Sequence, residues 1–410
     1  MDKLRYALNI QLFAQFNGVL NANEIKNVLY NMIISQRVES RNVDGTYSSL
    51  VDEARVEGSL YGDQKHYIDT DCLESHAWGN DSEAANLLAL DRPPNPKDQK
   101  ITLDQFRQIR CTVDDYLSKR AFSNEGVFSE YNSVILGWVA VTKKVFESRL
   151  YNTFIGSHET SVGRQMISVD LGTGSGHPLY NLSGVEKEQM TAMLVAQALA
   201  DLLIDLADTT RDFNDYGFLR SNSDESIKVI WNSKYVNKIN KLSTPTIFHK
   251  EGLVDKLSEH VLPSRYFGVA ITSSNISTYS DSTPTTGKPI NSSTGAYTPG
   301  TNHANGLIRA LVEKKVTVSA TEYHVFPGDE IPAGATIVAS TGDFLPGEVY
   351  IEQANVICKI VTELPPIMSA FEVGTSFFNP RSLTTNHYLT WGFNTLAHLE
   401  GKPFITVKAV

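Results

Sequence analysis

The sequence predicts an α+β fold organised around one long helix, and three observations carry that prediction. A β-rich segment from Ile101 to Asn124 runs straight into a helical segment from Glu125 to Ser157. Strands and helices then alternate from Gln165 to Ile271, and the chain ends in β-rich, aromatic sequence from Val356 onward. Within the helical segment Val127, Tyr131, Val134, Ile135, Trp138, Val141, Val145 and Leu150 fall mostly three or four apart, one continuous apolar stripe. Roughly 25 helical residues at about 1.5 Å each make a rod of about 40 Å, long for a soluble domain. Such a rod suits the backbone of a flat, tiling subunit; by periodicity alone it also suits the core helix of an α+β enzyme.

Taken in order, residues 1–45 are amphipathic, with helical spacing in Ile25, Val28, Leu29, Met32 and Ile33. The first residues resemble a signal peptide superficially. Asn9, Gln11, Gln15 and Asn17 interrupt the apolar region, and no small-residue cleavage site follows, so a cytosolic product is expected. Strands are expected at Ser59–Tyr67 and Ile101–Val113, flanking a polar stretch whose Pro93, Pro94 and Pro96 forbid helix. A long two-stranded excursion of this kind buries little within one subunit and needs a partner. Beyond the long helix, Gln165–Leu171 reads as a strand, and Lys187–Ala207 as a helix with Met193, Ala196, Leu199, Leu203 and Leu206 inward. Ile227–Trp231 and Tyr266–Ile271 read as buried strands separated by a short helix at Gly252–His260. Thr272–Asn305, rich in Ser, Thr, Asn, Gly and Pro, reads as a surface loop or insertion outside the core. Short strands follow from Val312, with turns at Pro327-Gly328 and Pro332–Gly334. Alternation in the last portion puts Leu389, Trp391 and Phe393 on one face, and Phe404–Val410 closes the chain as a strand. No internal repeat is present.

Composition narrows the function. Hydrophobic content of 41% with 20% charged residues describes a globular chain. The net charge of −10, with no Lys/Arg-rich run, repels phosphate on average and excludes dedicated nucleic-acid recognition. Cys72, Cys111 and Cys358 are too few and too scattered for a disulfide framework. No uninterrupted apolar run approaches the roughly 18 residues of a membrane span.

The sharpest motif, Asp170-Leu171-Gly172-Thr173-Gly174-Ser175-Gly176, resembles the first cofactor motif of S-adenosylmethionine-dependent methyltransferases. Its context argues against that reading: seven residues from His177 to Ser183 delay the next helix, and no strand ending in Asp or Glu follows about 20 residues later. The cluster His66, Asp69, Asp71, Cys72 and His76 matches neither a zinc knuckle nor a calcium loop and reads as exposed polar sequence. No Gly-x-Ser-x-Gly elbow occurs. No catalytic, cofactor-binding or metal-binding residues are assigned, and no enzymatic activity is expected. Phe377, Phe378, Trp391 and Phe393 read as core. Lys65, Lys97 and Lys100 lie in the excursion, where they can meet a neighbour's carboxylates.

The parts in this order resemble the major capsid protein of tailed bacteriophages, most closely those of small short-tailed phages of Gram-positive hosts. Leu8-Asn9-Ile10-Gln11-Leu12-Phe13-Ala14 is similar to the opening of many such head proteins. Ile101–Ser157 resembles the strand returning from their extended loop together with the spine helix, and Gly374–Leu389 resembles their C-terminal region. The resemblance implies the Hong Kong 97-type capsid fold. It assigns 1–45 to an N-terminal arm, 46–119 to the E-loop and its flanking strands, and 120–165 to a peripheral domain with the spine helix. Residues 166–354 become an axial α/β domain with an insertion at 272–305, and 355–410 return to the peripheral domain. The implied function is a structural virion protein that assembles, in the host cytoplasm, into the head shell around double-stranded DNA without binding it specifically. The implied partners are many copies of itself, as hexamers and pentamers, with scaffolding and portal proteins and no membrane. Leu12, Phe13, Tyr61, Lys65, Tyr67, Arg92, Lys97 and Lys100 are the expected inter-subunit contacts. The alternatives are the methyltransferase and an encapsulin-type nanocompartment shell.

Overall fold

The computed structural model describes residues 49–58, 63–75, 92, 96–114, 125–239, 260–300 and 305–410. The expected helical spacing at residues 25–33 and the short helix at 252–259 lie outside the described residues. The long helix, α2, spans Glu125–Ser157, 33 residues and about 50 Å at 1.5 Å per residue. It is preceded by α1 (Ser49–Ala54) and followed by α3 (Gly184–Ala207) and α4 (Ser233–Ile239).

The central sheet has the order β4 (Met166–Val169), β17 (Phe404–Ala409), β14 (Val356–Val361), β5 (Lys228–Asn232), β6 (His260–Leu262). Its outer pairings, β4–β17 and β5–β6, are parallel and its inner ones antiparallel. Helices cover both faces, which explains why VICKIV and FITV read as near-continuous apolar runs. On one face Ala192, Val195, Leu199, Leu202 and Leu206 of α3 pack on Val229, Trp231, Ile360, Ile405 and Val407. On the other, Tyr151 and Ile155 from the last turns of α2 and Leu50, Val51 and Ala54 of α1 pack on Ile230, Val361 and Phe404. Each fully buried side chain of this kind contributes roughly 1.5–3 kcal/mol. Among the described residues α3 is the one helix whose length and mean hydropathy would also suit a membrane span. Here its apolar side is buried on the sheet, while Met193, expected inward, lies at the stripe's edge and is exposed.

This sheet straddles the expected boundary between residues 354 and 355. β14 and β17 sit inside the same sheet as β4, β5 and β6, so that boundary cuts through one hydrogen-bonded layer. The connection was invisible in the sequence because the pairing spans more than a hundred residues.

A second sheet has the order β1 (Arg55–Glu57), β15 (Ile367–Asn379), β16 (Thr384–Asn394), β3 (Lys97–Asp114), β2 (Gln64–Asp69). β16 runs antiparallel to β3 from Thr384 opposite Asp114 to Asn394 opposite Leu103, and β2 pairs only with the 97–102 half of β3. Trp391 and Phe393 are buried as expected and meet Phe146 of α2 edge-on, with ring centroids 5.9 and 5.7 Å apart.

The predicted stripe on α2 is only partly the packed face. Val134, Val141, Val145 and Leu150 are half-buried and Trp138 is exposed; the side chains of Val127, Tyr131 and Ile135 lie outside the described residues. The buried positions cluster in the second half, where Glu147, Asn152 and Thr153 are buried beside Phe146, Tyr151 and Ile155. That half is enclosed from several sides, so it has no single apolar stripe. Gly156 is required there, because a Cβ would come within 2.1 Å of the Tyr266 carbonyl oxygen.

A small β lobe occupies 266–353, with a sheet in the order β10 (Asn305–Ala310), β13 (Val349–Gln353), β7 (Gly268–Ala270), a short parallel pair of β8 (Ser280–Asp281) and β9 (Ile290–Asn291), and a hairpin of β11 (Lys314–Val318) and β12 (Thr321–Val325). The described part of Thr272–Asn305 belongs to this lobe rather than lying outside the core: Ile290 and Tyr297 are each 1% exposed. Polar residues close its turns locally, with Asn275 Oδ1 accepting from the Thr272 N–H and Asn291 Oδ1 accepting from the Ser293 and Thr294 N–H groups. Ile290 and Tyr297, with Ile276 and Tyr279 packed beside them, anchor a segment whose composition reads as loop.

Candidate assembly surfaces

The β2–β3 ribbon is built by alternation. Tyr67 turns toward Ile101, Leu103, Met368, Ala370 and Leu399 and is half-buried, while His66 and Ile68 point outward. Lys65 lies opposite Ile101, Lys97 opposite Asp69 and Lys100 opposite His66. Lys97, Lys100 and Arg92 are exposed and Lys65 half-exposed; Leu12, Phe13 and Tyr61 lie outside the described residues. Of the expected contact residues, Tyr67 thus spends part of its surface on its own subunit, and burial with the nearby Glu363 carboxylate raises its hydroxyl pKa.

The Asp69–Lys97 end of the ribbon is clamped. Arg220 donates to Asp69 Oδ1 at 3.0 Å and to the Thr70 carbonyl at 2.9 Å. Arg211 donates to Asp71, and the Leu219 N–H donates to the same carboxylate; these hydrogen bonds hold its pKa down to about 2. Gln99 donates to the His398 carbonyl and accepts from the Glu400 N–H. Sequence reading grouped His66, Asp69, Asp71 and Cys72 as donors. The structure sends them to separate partners, His66 to Asp98 at 2.8 Å and the two aspartates to arginines. No group of His, Cys, Asp and Glu among the described residues is arranged to hold a metal, and His76 lies outside them.

At the far end of the second sheet, Phe377 is 63% and Phe378 50% exposed, which corrects their assignment to the core. They lie where β15 and β16 extend beyond β1, and alternation sends one to each face, so a single subunit covers neither. Trp138 on α2, Val373 in the middle of β15, Leu383 in the β15–β16 turn, Ile68 on the ribbon and Leu73 just past β2 are likewise exposed. Sequence periodicity missed these because an apolar residue on a strand gives the same signal whether it faces its own core or a neighbour's.

The glycine motif lies on an exposed stretch after β4. Asp170 Oδ1 accepts from the Gly172 N–H, nothing approaches a Cβ at Gly174 within 4 Å, and the next helix starts only at Gly184. This is a surface turn, with no strand-to-helix cradle for a nucleoside.

No protein-family model matches the chain, and no curated protein matches it. Its fold is found in solved structures. The chain aligns with the structure described as the capsid of Staphylococcus phage Andhra over 92% of its own length and 88% of that chain, at 10% identity and a TM-score of 0.56. It aligns with a chain from the structure of the head fiber and inner core protein gp22 of native bacteriophage P68 over 91% and 88%, at 9% identity and a TM-score of 0.55. The chain has the α+β Hong Kong 97-type capsid fold.

Proposed function

We propose that the chain is a structural virion protein that self-assembles into the icosahedral or prolate head shell of a phage and encloses its double-stranded DNA. The observation that carries this reading is the set of exposed apolar side chains, Phe377 and Phe378 on β15, Trp138 on α2, and Ile68 and Leu73 in and just after β2, in a capsid-type fold. Large apolar side chains left open on a sheet, a helix and a ribbon of one chain suit contact with other protein, and closed symmetry covers them in every copy at once. Residues 1–45 act as an arm and the ribbon within 46–119 as an E-loop. Residues 120–165, with β15 and β16, form the peripheral domain, and the central sheet and β lobe form the axial domain. Lys65, Lys97, Lys100 and Arg92 meet carboxylates of neighbours, with Leu12, Phe13, Tyr61 and the free edge of Tyr67 filling apolar contacts. Hexamers and pentamers of the chain would join scaffolding and portal proteins during assembly in the host cytoplasm. The −10 net charge keeps the shell from gripping the packaged phosphates.

Electron microscopy of the purified full-length protein tests this: closed shells or capsomer rings are expected. The double substitution Phe377→Ser and Phe378→Ser should leave circular dichroism and thermal unfolding almost unchanged while abolishing closed particles. A wild-type protein that stays monomeric at high concentration with its scaffold, or a double variant that assembles normally, overturns the reading.

A further inference from the structure

Where α2 ends, four distant parts of the chain meet through buried polar side chains. His158, just past the helix, places Nε2 2.8 Å from His398 Nδ1, and His398 Nε2 lies 2.8 Å from Asp215 Oδ2. Asp215 Oδ1 also accepts from Gln165 Nε2 and from Thr160 Oγ1. Lys359 of β14 donates to the His158 carbonyl, and Glu159 lies between Lys359 and Lys408 of β17, at 3.8 and 2.8 Å. Glu400 accepts from the Tyr216 hydroxyl, and the Asp215 N–H donates to the Glu400 carbonyl. The segment that carries His398 and Glu400 is the one that grips Gln99 of the β2–β3 ribbon.

The geometry restricts how many protons this chain of groups can hold. An ionised Asp215 only accepts, so His398 Nε2 carries a hydrogen. With His398 neutral, its bare Nδ1 accepts from the His158 Nε2–H. One proton added to the pair is accommodated, because a single N–H can still lie between the two rings with a bare nitrogen facing it. A second proton puts two N–H groups face to face at a ring-nitrogen separation of 2.8 Å, beside the Lys359 ammonium. That arrangement cannot persist.

We infer that this site is a proton-operated joint: in acid the His158–His398 contact breaks, and segment 398–400 releases its hold on Gln99 of the β2–β3 ribbon. Burial, followed by the neighbouring His398 and Lys359, pushes the His158 pKa from 6.5 down to about 3 while the joint is closed. An opened His158 regains its ordinary proton affinity, so acid draws the joint open. Asp71 stays ionised over the same range, and the Arg211 clamp is not what acid releases. The inference concerns the isolated subunit and stands whether or not the chain builds shells.

Hydrogen–deuterium exchange on the full-length protein, corrected for the intrinsic pH dependence of exchange, tests it between pH 7.5 and 5. Protection of 97–102 and 396–401 should fall at least tenfold in acid, while β5 and β14 stay protected. In the His158→Gln variant the amide can turn either its N–H or its carbonyl oxygen toward His398, so the acid-induced loss should shrink below twofold. Unchanged protection in the wild type, or an equal loss in the variant, overturns the joint. Should the variant fail to fold, the wild type decides alone: loss of protection in all segments together is global unfolding and overturns it equally.

Discussion

Replacing Lys359 with methionine should make the subunit more stable near neutral pH, although it deletes two hydrogen bonds. Lys359 lies mid-strand in β14 on the face toward α2, completely buried. Its ammonium donates to the His158 carbonyl at 2.8 Å and to Thr406 Oγ1 at 2.9 Å. Burial, the largest influence, pulls its pKa from 10.5 down to about 7 against the opposing attraction of Glu159. Because the folded value lies below the unfolded one, folding favours the neutral amine. The penalty is absent above pH 10.5, grows as pH falls, and is complete below about pH 7. At about 1.36 kcal/mol per tenfold change in proton affinity, the gap amounts to roughly 4–5 kcal/mol. Removing the donor leaves the His158 carbonyl and Thr406 hydroxyl with fewer partners, which returns roughly 2–3 kcal/mol. A net gain of about 1–3 kcal/mol near pH 7 follows, within the range for buried charges exchanged for apolar side chains of similar volume.

Urea unfolding of the unassembled subunit from pH 6 to 10 provides the assay. Wild-type stability should climb relative to the variant as pH rises above 7, since the unfolded lysine then holds a proton that the folded one lacks. By pH 10 the order should reverse, because only the lost hydrogen bonds then distinguish the two proteins. A variant less stable than wild type at pH 7, or a difference that stays flat with pH, would refute the reasoning.

Gly156→Ala should destabilise the subunit by about 3 kcal/mol or more in thermal unfolding, because its Cβ would meet the Tyr266 backbone at 2.1 Å and a backbone cannot swing aside. The double substitution Arg211→Ala and Arg220→Ala should leave global stability nearly unchanged, as expected for ion pairs open to solvent. The same variant should speed hydrogen exchange selectively in residues 64–71; unchanged exchange there would show that the clamp does not hold the ribbon.

Much of the architecture was legible because local periodicity and topology agree. α2 begins and ends at the residues where the helical pattern does, Trp391 and Phe393 bury together, and Phe404–Ala409 forms the closing strand. The misreadings share one physical origin, since periodicity reports which side of an element is apolar and not what covers it. Phe377 and Phe378 carry the same signal as Trp391, yet the former extend past the end of β1 and the latter meets Phe146. Conversely, the segment around Ile290 and Tyr297 buries two large side chains amid residues whose composition reads as loop.

The buried joint was out of reach for a further reason. His158, Asp215, Lys359 and His398 are separated along the chain by dozens to hundreds of residues, and only the strand order β17–β14–β5 brings their segments together. One trace of it was nevertheless on the page, in Lys359 standing between Cys358 and Ile360 in an otherwise apolar strand. A strand covered on both faces cannot expose a lysine by rotating it outward, because both directions lead into protein. Such a lysine must either lose its proton or find acceptors, and in this chain the acceptors are the carbonyl that ends α2 and the hydroxyl of Thr406. An isolated charge inside an apolar strand is therefore a sequence-level pointer to a buried polar junction, and here that junction ties the long helix to the ribbon at Gln99.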